Sequence, residues 1–189
     1  MYCAEEILSR TRRCAALTAV VLAGCSAGPP PKTTVSHVDP VTAVTVLAMS
    51  APVDFTSESG GLDVAVGPFE IDEMGTRTYF LWVCVLGEGE RVAPTIRFLD
   101  GQQVLLERDT ASALAQAPVS APPYTPLAPW APQFYYPVTL AELRSLEGRT
   151  VGIELTGRKA VVGRLAPWAD QPRNFDSFLK LLPAQNGSN

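Results

Sequence analysis

Four cysteines, one histidine and nineteen acidic residues are the groups in this 189-residue chain that could act as nucleophiles, bases or metal ligands. Three of the thiols, Cys3, Cys14 and Cys25, fall in the first 25 residues, which leaves Cys84 alone in the remainder. The sole imidazole, His37, lies in a proline-rich stretch, so neither a Ser-His-Asp nor a Cys-His arrangement can be assembled inside a folded domain. Transition-metal sites built from His and Cys meet the same shortage. Glu70, Asp72 and Glu73 could offer oxygens to calcium, but their spacing is not that of an EF-hand and reads as a solvated acidic turn. Gly87-Glu88-Gly89-Glu90 puts carboxylates where a phosphate loop needs backbone N–H groups, and reads as a hairpin turn. Carboxylate pairs for glycoside hydrolysis form in space, and no two acids are singled out by position. The expectation is a chain with no catalytic residue, no metal ligand set and no bound cofactor.

One thiol has a distinctive context. Arg10, Arg12 and Arg13 precede an apolar run from Cys14 to Val21, and the small residues Ala23 and Gly24 stand just before Cys25. Basic, apolar and small regions in that order define a removed export signal. The run is far short of the roughly 20 residues that span a bilayer. Glu5 and Glu6 are unusual ahead of such a basic cluster, which suggests a leader proper beginning near Leu8. Leu22-Ala23-Gly24-Cys25 resembles the lipobox of bacterial lipoprotein precursors. That resemblance covers residues up to about 26. It implies cleavage before Cys25, diacylglycerol on its sulfur and an acyl chain on its new amine, and hence a membrane as partner. Two or three chains make a durable anchor, at roughly 0.8 kcal/mol per buried methylene. Ser26 stands where an Asp would signal inner-membrane retention in some bacteria, so the resemblance implies an outer-membrane protein facing the periplasm.

The chain divides accordingly. Residues 1–24 are read as the cleaved signal peptide and 25–41 as the lipidated Cys with a Pro-rich tether. Residues 42–183 form the domain and 184–189 a disordered tail. Removing the leader leaves 12 basic and 17 acidic residues, a balance that argues against nucleic acid. The 165 remaining residues suit one domain. The lone Cys84, set in Phe80-Leu81-Trp82-Val83-Cys84-Val85-Leu86, reads as a small buried hydrophobe. Arg158, Lys159 and Arg164 are the densest basic group and read as a charged turn.

Short Val- and Thr-rich runs separated by Gly and Pro predict strands at Val41–Met49, Leu62–Val66 and Arg77–Leu86. A hairpin is expected around Asp100-Gly101, joining Thr95–Leu99 to Gln103–Glu107. Val151–Leu155 and Ala160–Leu165 complete the set. Thr139 and Glu142 have capping-box spacing, with Val138 and Leu143 as a hydrophobic staple and Gly148 as the stop. Phe175, Phe178, Leu179 and Leu182 mark a second short helix with Asn174 as N-cap. The expected fold is mainly β: an antiparallel β-sandwich, immunoglobulin-like, with two short helices. A small β-barrel is the alternative.

The strand through Trp82 is apolar on both faces, so its outer face needs a cover. The candidates are the C-terminal helix, the middle loop or another protein. That loop, 118–137, holds seven prolines, which argue against regular structure there, interleaved with Tyr124, Trp130, Phe134, Tyr135 and Tyr136. These five aromatics either form a preordered partner-binding surface or fold back as padding. The functional expectation is a non-enzymatic docking or structural subunit of an envelope assembly, with an envelope protein as partner. An apolar-ligand carrier or a carboxylate-based envelope hydrolase is the alternative.

Overall fold

The computed structural model describes residues 34–57, 60–87, 94–114, 116–157, 161–167 and 175–183. The leader, Cys25, Glu88–Glu90, Arg158, Lys159, Asn174 and the 184–189 tail lie outside these described residues. The domain is mainly antiparallel β with two short α-helices, consistent with a β-sandwich. Its ten strands belong to one sheet that does not close, so the barrel alternative is set aside.

Strands β1 (Thr34–Val38), β2 (Thr45–Met49) and β3 (Val53–Ser57) lead into two long partners, β4 (Leu62–Glu73) and β5 (Thr76–Gly87). The tight hairpin between these two has both Met74 and Gly75 at positive φ, as a primed turn requires. On the opposite edge of β4, β2 pairs at Phe69–Asp72 and β3 at Asp63–Val66. β2 and β3 are thus one strand path, broken opposite Gly67 and Pro68. The sheet continues from β3 through β10 (Val161–Pro167), β9 (Gly152–Thr156), β6 (Thr95–Asp100) and β7 (Gln103–Arg108), and from β5 to β8 (Gln133–Val138).

Alternation decides which side chains go inside. Leu62, Val64, Val66, Leu81, Val83, Phe134, Tyr136 and Val138 meet Phe55, Ile96, Phe98, Ile153, Leu155 and Leu165 in the main core. Helix α1 (Leu140–Arg144) is capped as its sequence predicts, with Thr139 and Glu142 exchanging hydrogen bonds. Gly148 follows at φ +72°. Leu143 and Val138 both enter the core. Helix α2 (Asp176–Leu179) contributes Phe178 and Leu179, with Phe175 and Leu182 on either side, and so plugs the inner face rather than covering the outer one.

Four segments differ from the sequence expectation: Val53–Ser57, where no strand is expected, is β3, and Glu70–Glu73, read as a solvated acidic turn, continues β4 with Glu70 buried. Thr34–Val38, assigned to the tether by composition, is strand β1, in register with β2 from Thr34–Met49 to Val38–Thr45. Four of its five side chains are exposed, so backbone pairing holds it in place and no hydrophobic alternation announces it. Gln133–Val138, within the loop where proline argued against regular structure, is strand β8. Proline is tolerated there because β8 is an edge. The carbonyl of Tyr135 accepts from Leu114 N, and that of Pro137 from Arg108 Nε at 2.9 Å, both from the side away from β5. The missing Pro137 N–H therefore leaves no gap in the β5 ladder.

Arg108 also fastens the open seam between β7 and β8, since its guanidinium pairs with Glu142. That hydrogen bond is the largest influence holding the Glu142 carboxyl at about 2. A carboxyl depressed in the folded state stabilises the fold above its unfolded value and loses that contribution as pH falls through the folded one. Glu142→Gln is therefore expected to lower the urea midpoint at pH 7, with the difference from the parent shrinking steadily between pH 5 and 2.

Candidate functional site

The outer face of β2, β4, β5 and β8 is where the sequence demands a cover. Val46, Ala48, Ala65, Phe69, Ile71, Phe80, Trp82, Cys84 and Tyr135 project there and form a second buried layer. Its lid is the Pro-rich segment, through Val119, Tyr124, Ala128 and Ala131. Of the three candidate covers, the middle loop occupies this face.

The loop is pinned at four points. Near its start, Ser120 donates both its backbone N–H (2.7 Å) and its hydroxyl (2.8 Å) to one carboxylate oxygen of Asp39. The other oxygen accepts from the N–H groups of Val41 and Thr42 at 2.9 and 3.0 Å, shaping the turn between β1 and β2. Asp39 is buried, and these bonds, that from Thr42 foremost, hold its carboxyl far below the usual carboxylate range. Next, Tyr124 spans the break between β2 and β3. Its hydroxyl accepts from Met49 N at 3.1 Å and donates to the carbonyl of Pro68. Pro68 has no N–H for the missing rung, so the phenol stands in for a strand backbone. Burial pushes that phenol well above the ordinary tyrosine value, which keeps it neutral and able to donate.

Gly67 makes the arrangement possible. A Cβ there would lie 2.3 Å from the Tyr124 ring, so the ring rests on bare backbone. It also packs against Trp82, with centroids 5.3 Å apart. The Trp82 indole donates to Gln133 Oε1 at 2.9 Å, which settles the polar end of the largest buried side chain. Farther along, Cys84 is fully buried beside the Leu127 backbone, and burial raises its thiol above the free value. The last pin is a turn, Ala131 N to Ala128 O at 3.0 Å, followed by Val85 N to Pro132 O at 3.1 Å.

The five aromatics expected to meet a partner are thus sorted. Tyr124 and Tyr135 lie under or within the lid, while Phe134 and Tyr136 face the main core, where Tyr136 donates to the Pro94 carbonyl. Trp130 alone is outside, 79% exposed at the tip of the 128–131 turn. Sequence composition does not show this division. Alternation within Phe134-Tyr135-Tyr136 carries part of it.

The acidic and basic candidates are tied to one another. Glu70 is buried on the inner side and pairs with Arg77 at 3.4 Å; burial raises its carboxyl. Asp72 accepts from Gly75 N at 2.7 Å, closing the β4–β5 turn. On the outer face of the other half, Glu107, Arg97, Glu154 and Arg164 form a row across β7, β6, β9 and β10, linked at 3.0–3.2 Å. Glu154 is held below the usual range, chiefly by its bond from Arg164. An open concavity of about 570 Å³ lies beside this row over Gly152, Gly163 and Ala166. Among the described residues no group of three or more His, Cys, Asp or Glu is placed to hold a metal ion, and no helix is long and apolar enough to cross a membrane.

Comparison with protein-family models, curated proteins and solved structures returned no match to this chain.

Two substitutions test the lid. Tyr124→Phe strands a buried donor and acceptor and is expected to cost about 1–3 kcal/mol in urea unfolding. Gly67→Ala forces the ring off the strand at a further overpacking cost of about 1–3 kcal/mol. In the Gly67→Ala, Tyr124→Ala double variant the Gly67 effect should largely disappear, since the ring it collides with is gone.

Proposed function

We propose that this protein is a lipid-anchored lipoprotein of the bacterial envelope, outer-membrane-bound and facing the periplasm, in which the β domain is a non-enzymatic docking or structural subunit. The observation that carries the reading is Leu22-Ala23-Gly24-Cys25 at the end of a short apolar run behind three arginines. An anchor of two or three acyl chains on Cys25 keeps the domain on the membrane for its working life. No further cofactor is required by this role.

Two features support a structural subunit over the alternatives. Among the described residues, Phe175, Phe178 and Leu179 pack into the core between the sheet halves, Phe175 against Phe98, which favours a structural subunit over an apolar-ligand carrier. The two buried glutamates, Glu70 and Glu154, sit on different faces of different sheet halves, each with arginine as its ion-pair partner. That placement suits charge neutralisation within the fold rather than the facing carboxylates of a hydrolase.

Metabolic labelling with radioactive palmitate tests the reading. The parent protein should carry label and resist a carbonate wash of membranes, whereas Cys25→Ser should carry none and be released. Equal labelling of the two, or release of the parent by carbonate, overturns it.

A further inference from the structure

We propose that the exposed Trp130 turn is a second contact with the phospholipid bilayer that holds Cys25, inserting at its interface. The inference rests on the lipoprotein reading and adds the face that the domain turns toward the membrane. Three observations converge on it.

The first is the shortness of the connection. Strand β1 begins at Thr34, so only nine residue steps separate it from Cys25. At most about 3.3–3.6 Å per step, the chain reaches roughly 30 Å. The domain is therefore held against its membrane, not lifted far from it.

The second is direction. β1 runs from Thr34, opposite Met49, toward Val38, opposite Thr45, and Thr45 in turn pairs with Asp72 near the β4–β5 turn. The first residue of β1 is thus the one nearer the Leu62 end of β4. The lid follows the same axis: Ser120 is bonded to Asp39 beyond the far end of β1, Tyr124 to Met49 opposite its start, and Pro132 to Val85, which pairs with Val64. Trp130 lies in that last portion, toward the end of the sheet at which β1 begins.

The third is chemistry. Between Asp109 and Glu142 the chain has no charged residue, although acids outnumber bases over the rest of it. Next to Trp130 in the chain, Leu127 and Pro129 are also exposed. No charge within this run itself has to be stripped of water when it meets lipid headgroups, the zone where tryptophan is enriched. Ala128 and Ala131, buried on either side, fix the turn before contact, so little freedom is lost on insertion.

The test uses the acylated full-length mature protein in vesicles of phosphatidylethanolamine and phosphatidylglycerol with brominated acyl chains, which quench tryptophan emission on contact. Both proteins carry Trp168→Phe, so that buried Trp82 is the other emitter, and Trp130→Ala, which removes an exposed side chain, reports the background. Quenching of the parent is expected to be at least twofold that of the variant. Equal quenching in protein that mass spectrometry shows to be acylated overturns the contact and leaves the anchor standing. Absence of acyl chains on Cys25 overturns both. A photoreactive residue at position 130 in cells should capture phospholipid; capture of one specific protein there instead overturns the bilayer contact.

Discussion

A single phenol hydroxyl bridges the place where the sheet would otherwise fail. Pro68 lies midway along β4, which stays paired with β5 through it, while the strand path facing its other edge splits into β2 and β3. A buried donor on Met49 and a buried acceptor on Pro68 would be stranded there, but both are met by Tyr124. That one residue also commits the whole lid, because its ring must lie flat on Gly67 to reach. The proline, the glycine and the tyrosine form a unit, and none of the three makes structural sense without the other two.

Around that unit the domain is built in two apolar layers that share β4 and β5. The inner layer, between the sheet halves, is closed by α2 and sealed along the β7–β8 seam by Arg108. The outer layer is closed by a segment with almost no secondary structure of its own. Proline suits this work, since a stiffened chain loses less freedom when it settles on a surface. Asp39 ties the settled lid to β1, so the most exposed strand of the sheet and its most irregular segment stabilise each other.

Local signals in the sequence were legible because the interactions they encode are local. Thr139 and Glu142 are three residues apart and cap α1 as their spacing requires; Asp100-Gly101 turns a hairpin; the spacing of Phe175, Phe178, Leu179 and Leu182 buries all four. The demand for a cover over Trp82 was also visible, since a strand apolar on both faces cannot leave one wet. The identity of the cover was not. Tyr124 acts on residues 56 and 75 positions away, and no periodicity reports a contact at that range. β1 was hidden for a different reason, as edge pairing through backbone groups is indifferent to side-chain type. Composition sets how much ring surface exists but not which rings turn inward, and among the described aromatic residues only Trp130 turned out.

Cys84 lies in the outer layer, beneath the lid and beside Leu127, and its sulfur has no path to solvent while that lid is seated. Its chemistry is thereby coupled to one motion of the molecule. Alkylation at this sulfur becomes a clock for how often residues 118–132 lift from the outer layer, and the seated lid shields the thiol from reagents in solvent.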